Sequence, residues 1–192
     1  MRRSCAAWVL ACVAALCAGI GAAPAAHAQN AAPAVPLERR VKAAFLYKFL
    51  GYTEFPATSF ADAAAPLTIG VIGAGDLAVE LARVVAGRTV GSRGVEVREL
   101  RDADAGAAAR VHLLFVGGSD RDRVGRLVRQ AAGALLVVTE CEDGLQLGSV
   151  INFRIVDERV RFDVSLDAAE RNGIKLSSRL LTVANRVQKG AQ

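Results

Sequence analysis

Leu67-Thr-Ile-Gly-Val-Ile-Gly73-Ala-Gly75-Asp-Leu-Ala78 decides the fold class. Six uncharged residues rich in β-branched side chains run into a glycine turn, and residues 76–86 then carry apolar positions at helical spacing. A strand without polar alternation is buried on both faces, and such a strand leading directly into a helix is the unit of a parallel α/β sheet. The unit recurs downstream. Apolar runs at 95–100, 111–116 and 135–139 alternate with helical stretches at 103–110 and 120–132. The predicted architecture is α/β and three-layered: a mostly parallel sheet flanked by helices.

Outward from this centre the pattern changes. Ile151, Phe153 and Ile155, then Val160, Phe162 and Val164, alternate strictly with polar residues around Asp157-Glu158, which predicts a C-terminal antiparallel hairpin. Pairing Ile155 with Val160 sets Phe153 opposite Phe162, Arg154 opposite Arg161 and Asn152 opposite Asp163. One face is then apolar and the other carries Asn152, Arg154, Arg159, Arg161 and Asp163. Two arginines directly across a strand pair repel each other, so either carboxylates from elsewhere or an anionic ligand or acidic partner must neutralise them. A final helical segment is expected, with Leu176, Leu180, Ala184 and Val187 on one face. Upstream, Leu37, Val41, Phe45 and Phe49 recur at i+4 and mark an amphipathic helix over 37–52, ended by Pro56. Arg39, Arg40 and Lys42 sit near its start, where the helix dipole disfavours them and Glu38 only partly offsets them. Leu46, Tyr47 and Leu50 broaden the apolar face beyond one core stripe, so Phe45, Leu46, Tyr47, Phe49 and Leu50 are expected to contribute to a homodimer.

The first 28 residues have the three parts of a secretory signal: Arg2 and Arg3, an apolar run over 6–20, and Ala26-His27-Ala28 as a small-residue exit. Cleavage is expected after Ala28, with 29–36 a flexible lead and 37–190 a single domain. Of the chain's 192 residues 53% are hydrophobic, a share that excludes disorder through low hydrophobicity. Removing the leader lowers the formal charge from +5 to +3, too mild to argue for nucleic acid binding. It also takes Cys5, Cys12 and Cys17, so Cys141 remains unpaired and cysteine-rich zinc sites are excluded. Cys141 reads either as an exposed thiol open to mixed disulfides or as a buried one.

Catalytic patterns are weak. Gly73-x-Gly75-x-x-Ala78 matches a dinucleotide fingerprint, but Asp76 puts a carboxylate where phosphates would sit, and a glycine turn with Asp76 as helix N-cap is the better reading. Ser119 would need a base to act as a nucleophile, and His112, the sole histidine after the leader, lies within an apolar strand. Asp76, Asp120, Glu140, Glu142 and Asp143 follow strand C-termini and would form an acidic rim, most of it explained by helix capping. No cofactor and no metal are expected.

Val41-Lys-Ala-Ala-Phe-Leu-Tyr-Lys-Phe49, Glu54-Phe55-Pro56, Ile151-Asn-Phe153, Val160-Arg-Phe-Asp163 and Ala168-Ala-Glu-Arg-Asn-Gly-Ile-Lys-Leu-Ser-Ser-Arg-Leu-Leu181 together resemble the YfiR-type periplasmic proteins. The resemblance implies a periplasmic, usually dimeric α/β protein that represses an inner-membrane diguanylate cyclase by binding its periplasmic sensor domain. An OmpA-like outer-membrane lipoprotein relieves that repression, and cyclic di-GMP and biofilm formation are the output. Cysteines that form disulfides in some members are missing: seven residues after Cys141 lies Gly148. The expectation is a non-catalytic repressor that contacts its partner through the hairpin's polar face and through Ser177, Ser178 and Arg179, which open the last helix. The alternative is a periplasmic small-molecule binder that modulates a sensor kinase or a TonB-dependent uptake system.

Overall fold

In the computed structural model, residues 36–131 and 133–190 are described, without the side chains of 107–110. The expected leader, its cleavage site and nearly all of the lead lie outside the described residues. The elements run α1 (Leu37–Gly51), β1 (Thr53–Glu54), β2 (Leu67–Ile72), α2 (Gly75–Val85), β3 (Thr89–Val90), β4 (Arg93–Leu100), a 3-10 segment (Asp102–Arg110), β5 (Leu113–Val116), α3 (Arg121–Gln130), β6 (Leu136–Thr139), β7 (Ile151–Val156), β8 (Arg159–Ser165), α4 (Leu166–Arg171), β9 (Lys175–Leu176), α5 (Ser178–Val183) and β10 (Arg186–Gln188).

Eight strands form one sheet in the order β10-β8-β7-β6-β5-β2-β4-β3. The stretch β4-β2-β5-β6-β7 is parallel, and strand order reverses between β2 and β5, which makes that crevice the topological switch point of a doubly wound sheet. β2, β5 and β6 are buried along their whole length, as their uncharged sequences require. The hairpin has the predicted register, Ile155 on Val160, Phe153 on Phe162, Arg154 on Arg161 and Asn152 on Asp163. Its turn places Asp157 at φ +49° and Glu158 at +59°, the backbone of a two-residue type I′ connection.

Helices α1 and α2 pack together on one face, with α4 and α5 adding Ala168, Ala169 and Leu180 to the same core. α3 and the 3-10 segment cover the other face through Val124, Leu127, Val128 and Ala105. Asp120 caps α3 by accepting the Arg123 N–H at 3.0 Å.

Four expectations need correction. The buried seam of α1 runs along Ala43, Leu46, Phe49 and Leu50, while Leu37, placed in the expected stripe, is 72% exposed. The breadth of that face serves one chain: α1 contacts α2, and Phe45 and Phe49 pack on Phe153 and Phe162 with ring centroids 5.0–6.1 Å apart. Leu46, Phe49 and Leu50 therefore offer no free apolar surface to a second subunit, and the Tyr47 hydroxyl is engaged by the Thr89 carbonyl at 3.0 Å.

The other corrections are local. In place of one C-terminal helix the chain forms α4, β9, α5 and β10. Gly173, at φ +64°, ends α4, the Ile174 N–H returns to the Ala169 carbonyl, and β9 then pairs with β1. The half-buried Leu176 and the 39%-exposed Val187 belong to two separate short strands, so they do not share a helix face. Asp76 lies in the first turn of α2 and not at its cap, which is Ala74, and it accepts the Leu77 N–H at 2.8 Å.

Candidate functional site

β2, β5 and β6 end level with one another, since Ile72 pairs with Val116 and Val116 with Thr139. β7 does not stop there. It pairs with β6 only through Ile151 and Asn152, and Phe153 to Val156 continue past the sheet's C-terminal edge, paired with β8 alone. At about 3.3 Å per residue the hairpin stands about 13 Å above that edge. The first turns of α1 flank it, and between them lies a cleft of about 530 Å³ lined by Glu38, Arg39, Lys42, Glu140, Glu142 and Arg154 among others. This is where open α/β folds place ligands.

Glu140, the residue after β6, is the hub of the floor. Its side chain is 9% exposed and lies 2.9 Å from the Arg39 guanidinium and 2.6 Å from the Lys42 ammonium, and it also accepts the Gly118 N–H at 3.1 Å. Lys42, itself buried, bonds Glu38 one turn back, and Arg39 reaches Asp76 at 3.1 Å. Burial alone would push the Glu140 carboxyl up. The hydrogen bond and charge of Lys42, joined by Arg39, outweigh it and hold the group below the usual glutamate range. These cations, misplaced for their own helix dipole, are thus balanced by carboxylates on the sheet edge and on α2. Sequence reasoning placed Glu140 on a rim explained by capping and did not find its partners; the disfavoured charges at the start of α1 were the signal.

The rest of the rim is largely satisfied within the chain. Asp143 pairs with Arg121 at 2.6 Å, and Asp120 is a cap. At the switch point, Gly73 sits at φ +71°, and a Cβ there would lie 2.9 Å from the Gly117 carbonyl oxygen. The Arg123 guanidinium lies against Gly73, bonds the Gly117 carbonyl at 2.9 Å and grips Asp102 through two contacts of 2.7 and 2.6 Å. An arginine already paired occupies the crevice, and a Cβ on Gly75 would lie 2.8 Å from a Glu99 carboxylate oxygen, so the glycine motif is not arranged as a pyrophosphate cradle. His112 is buried: its Nδ1 accepts the Thr68 N–H at 3.0 Å, Phe60 stacks on it, and burial pulls its pKa down. Cys141 is buried as well, and burial pushes its thiol up, away from thiolate chemistry. Among the described residues no group of three or more potential metal ligands gathers, and no helix is long and apolar enough to cross a membrane.

The expected contact residues are divided. Asn152 and Asp163 are buried, Asn152 between the Thr139 hydroxyl at 2.7 Å and the Cys141 carbonyl at 3.0 Å, and Asp163 under the Asn185 amide at 2.7 Å. Arg154, Arg159 and Arg161 stay exposed. Arg154 has only a 3.9 Å contact with Asp163, and among the described residues no carboxylate comes within 4.0 Å of Arg159 or Arg161. Ser177 caps α5 and donates its backbone N–H to the Tyr52 carbonyl at 2.9 Å, which places Ser177, Ser178 and Arg179 beside the C-terminus of α1. The cleft adjoins the N-terminus of that helix, about 20 Å away at 1.5 Å per residue, so the two groups do not form one site.

A conserved domain protein from Vibrio cholerae O1 biovar El Tor has a similar solved structure, with 11% sequence identity and a TM-score of 0.52 over 78% of this chain. At that identity the likeness shows the fold alone, and this chain spans 60% of the other's length. No curated protein matches the chain. A family profile described as YfiR/HmsC-like matches residues 39–185, from the Arg39 of the cleft through both strands of the hairpin to Asn185, and the chain belongs to that family.

Proposed function

We propose that this protein is a non-catalytic periplasmic repressor that binds the periplasmic sensor domain of an inner-membrane diguanylate cyclase and thereby lowers cyclic di-GMP and biofilm formation. The observation that carries the reading is the YfiR/HmsC-like match over residues 39–185. On the cleft floor Arg39 and Lys42 are paired with Glu140, Glu38 and Asp76, so the charge there is matched within the chain and the hairpin arginines are left as the polar groups for a partner. Repression of this kind is differential binding: the cyclase is held inactive only as far as the repressor prefers its inactive state. Arg154, Arg159 and Arg161 are the polar contacts of this reading, while Ser177, Ser178 and Arg179 would serve a second contact, such as capture by an OmpA-like outer-membrane lipoprotein. A homodimer would have to use surfaces other than the buried side of α1. The test is a pulldown of the tagged, exported protein from solubilised inner membranes. A diguanylate cyclase enriched over a mock-tagged control is the expected result, and its absence counts against the reading.

A second reading, a small-molecule binder that tunes a sensor kinase or a TonB-dependent uptake system, is favoured by the 530 Å³ cleft at the sheet's C-terminal edge. Recovery of a histidine kinase or a TonB-dependent receptor in the same pulldown would support it.

A further inference from the structure

We infer that the free edge of β7 is a docking site for an extended segment of a partner protein whose side chains alternate between apolar and acidic. The inference deepens the repressor reading by naming the kind of partner segment, and it rests on that reading only in taking the partner to be a protein.

Beyond Asn152 the β7 ladder has a partner strand on its β8 side only, and no backbone hydrogen bond from a described loop or turn reaches Phe153 to Val156. An unpaired strand edge is a template for another strand, and proteins usually cover it or blunt it with charge or proline. Here it carries one exposed charge, Arg154, but is neither covered by another described strand nor interrupted by proline, and it opens into the cleft, whose far wall is α1. The groups that can satisfy such an edge are the alternating N–H and C=O of an extended chain, the mode by which sheet edges capture peptides.

The side chains flanking the edge define what that chain carries. On the α1 side Ile155 is 53% exposed and Leu37 72%, and with Val41 and Val160 they form the apolar part of a hollow of about 370 Å³ that Glu38, Glu158 and Arg159 also line. On the opposite side of the strand stand Arg154 and, across the pair, Arg161. Side chains of an added strand project alternately to the two faces. One set would therefore enter the Leu37–Ile155 hollow while the other meets Arg154, whose one ion-pair contact is to Asp163 at 3.9 Å, and beyond it Arg161, which has no carboxylate within 4.0 Å among the described residues. The repulsion between Arg154 and Arg161 noted from the sequence is relieved by the same event.

The test is a titration of the exported protein with the peptide acetyl-Thr-Val-Glu-Val-Glu-Thr-amide, followed by the backbone amide resonances of residues 153–156. Binding is expected, with affinity falling at least tenfold when the glutamates become lysines, in Arg154→Glu, and in Leu37→Asp. A substitution at so exposed a position as Leu37 leaves the fold intact, which circular dichroism verifies. N-methylation of either the valines or the glutamates should abolish binding while methylation of the other pair leaves it, because only alternate amides face the edge. No binding at millimolar peptide, or equal loss from both methylation patterns, overturns the inference. It is overturned as well if only a chain lacking residues 29–35 binds, which would make the chain's own lead the occupant, or if Leu37→Asp converts a dimer to a monomer without peptide, which would make it a second copy. None of these readouts involves the cyclase, so they separate this inference from the repressor reading.

Discussion

At the C-terminal edge of β2, β5 and β6 the charged groups find partners inside the chain, whereas β7 leaves the same edge and runs on for four residues with one side unpaired. Both regions border one cleft. On the parallel side, Glu140 draws Arg39 and Lys42 of α1 onto the sheet and fixes the helix start, so the charge there is spent on structure. On the hairpin side, three arginines and a strand edge face outward: Arg154 has a single 3.9 Å contact with Asp163, and Arg159 and Arg161 have no carboxylate within 4.0 Å among the described residues. A polar group saturated within the fold holds geometry, while one left unpaired at an exposed site is available for recognition, and this difference is the ground for proposing the hairpin, and not the charged floor, as the contact surface.

Glu140→Ala puts the contrast under the greatest strain. It leaves the buried Lys42 with Glu38 as its remaining partner and should cost about 3–5 kcal/mol in chemical denaturation, the usual penalty for breaking a buried pair from one side. The double variant Glu140→Leu with Lys42→Met should recover most of that loss. Arg161→Ser on the hairpin should shift stability by no more than about 0.5 kcal/mol.

Acid makes the same point without mutation. The Glu140 carboxyl is held below its ordinary value, so its contribution is fully present at neutral pH and is lost as pH falls below the usual glutamate range, about 4.3, through the folded-state value. Glu140→Gln should flatten the acid limb of the stability curve, and an unchanged limb would remove Glu140 from the account. The hairpin turn gives a smaller effect of opposite sign. Replacing Asp157-Glu158, both left-handed, by Asn-Gly should raise stability by about 1 kcal/mol in thermal or urea unfolding and leave peptide binding at β7 intact.

The local pattern was readable wherever one periodicity dominated. The uncharged runs at 67–72, 113–116 and 136–139 could only be buried strands, and alternation fixed the Phe153–Phe162 register because a one-residue slip would set the two phenylalanines on opposite faces. Reading failed where several neighbours share one element. The broad apolar face of α1 suggested a second subunit, because a sequence cannot say that α2 and the hairpin both lean on that helix. The two-residue strands β1 and β9 are too short to carry a period, and β10 has only three residues. The cleft was half legible: its acids were visible as residues after strand C-termini, but their union with Arg39 and Lys42 spans 101 and 98 positions of chain, and only the unfavourable dipole position of those cations hinted at it.

On the proposed reading, this chain represses a membrane diguanylate cyclase by binding it through the hairpin. The most direct test is cellular cyclic di-GMP in a strain lacking the gene, complemented in turn with the wild type, with Arg154→Glu and with an empty vector. The account predicts that cyclic di-GMP rises on deletion, returns to the parental level with the wild type, and stays raised with Arg154→Glu at equal periplasmic abundance. A level unchanged by deletion would contradict it.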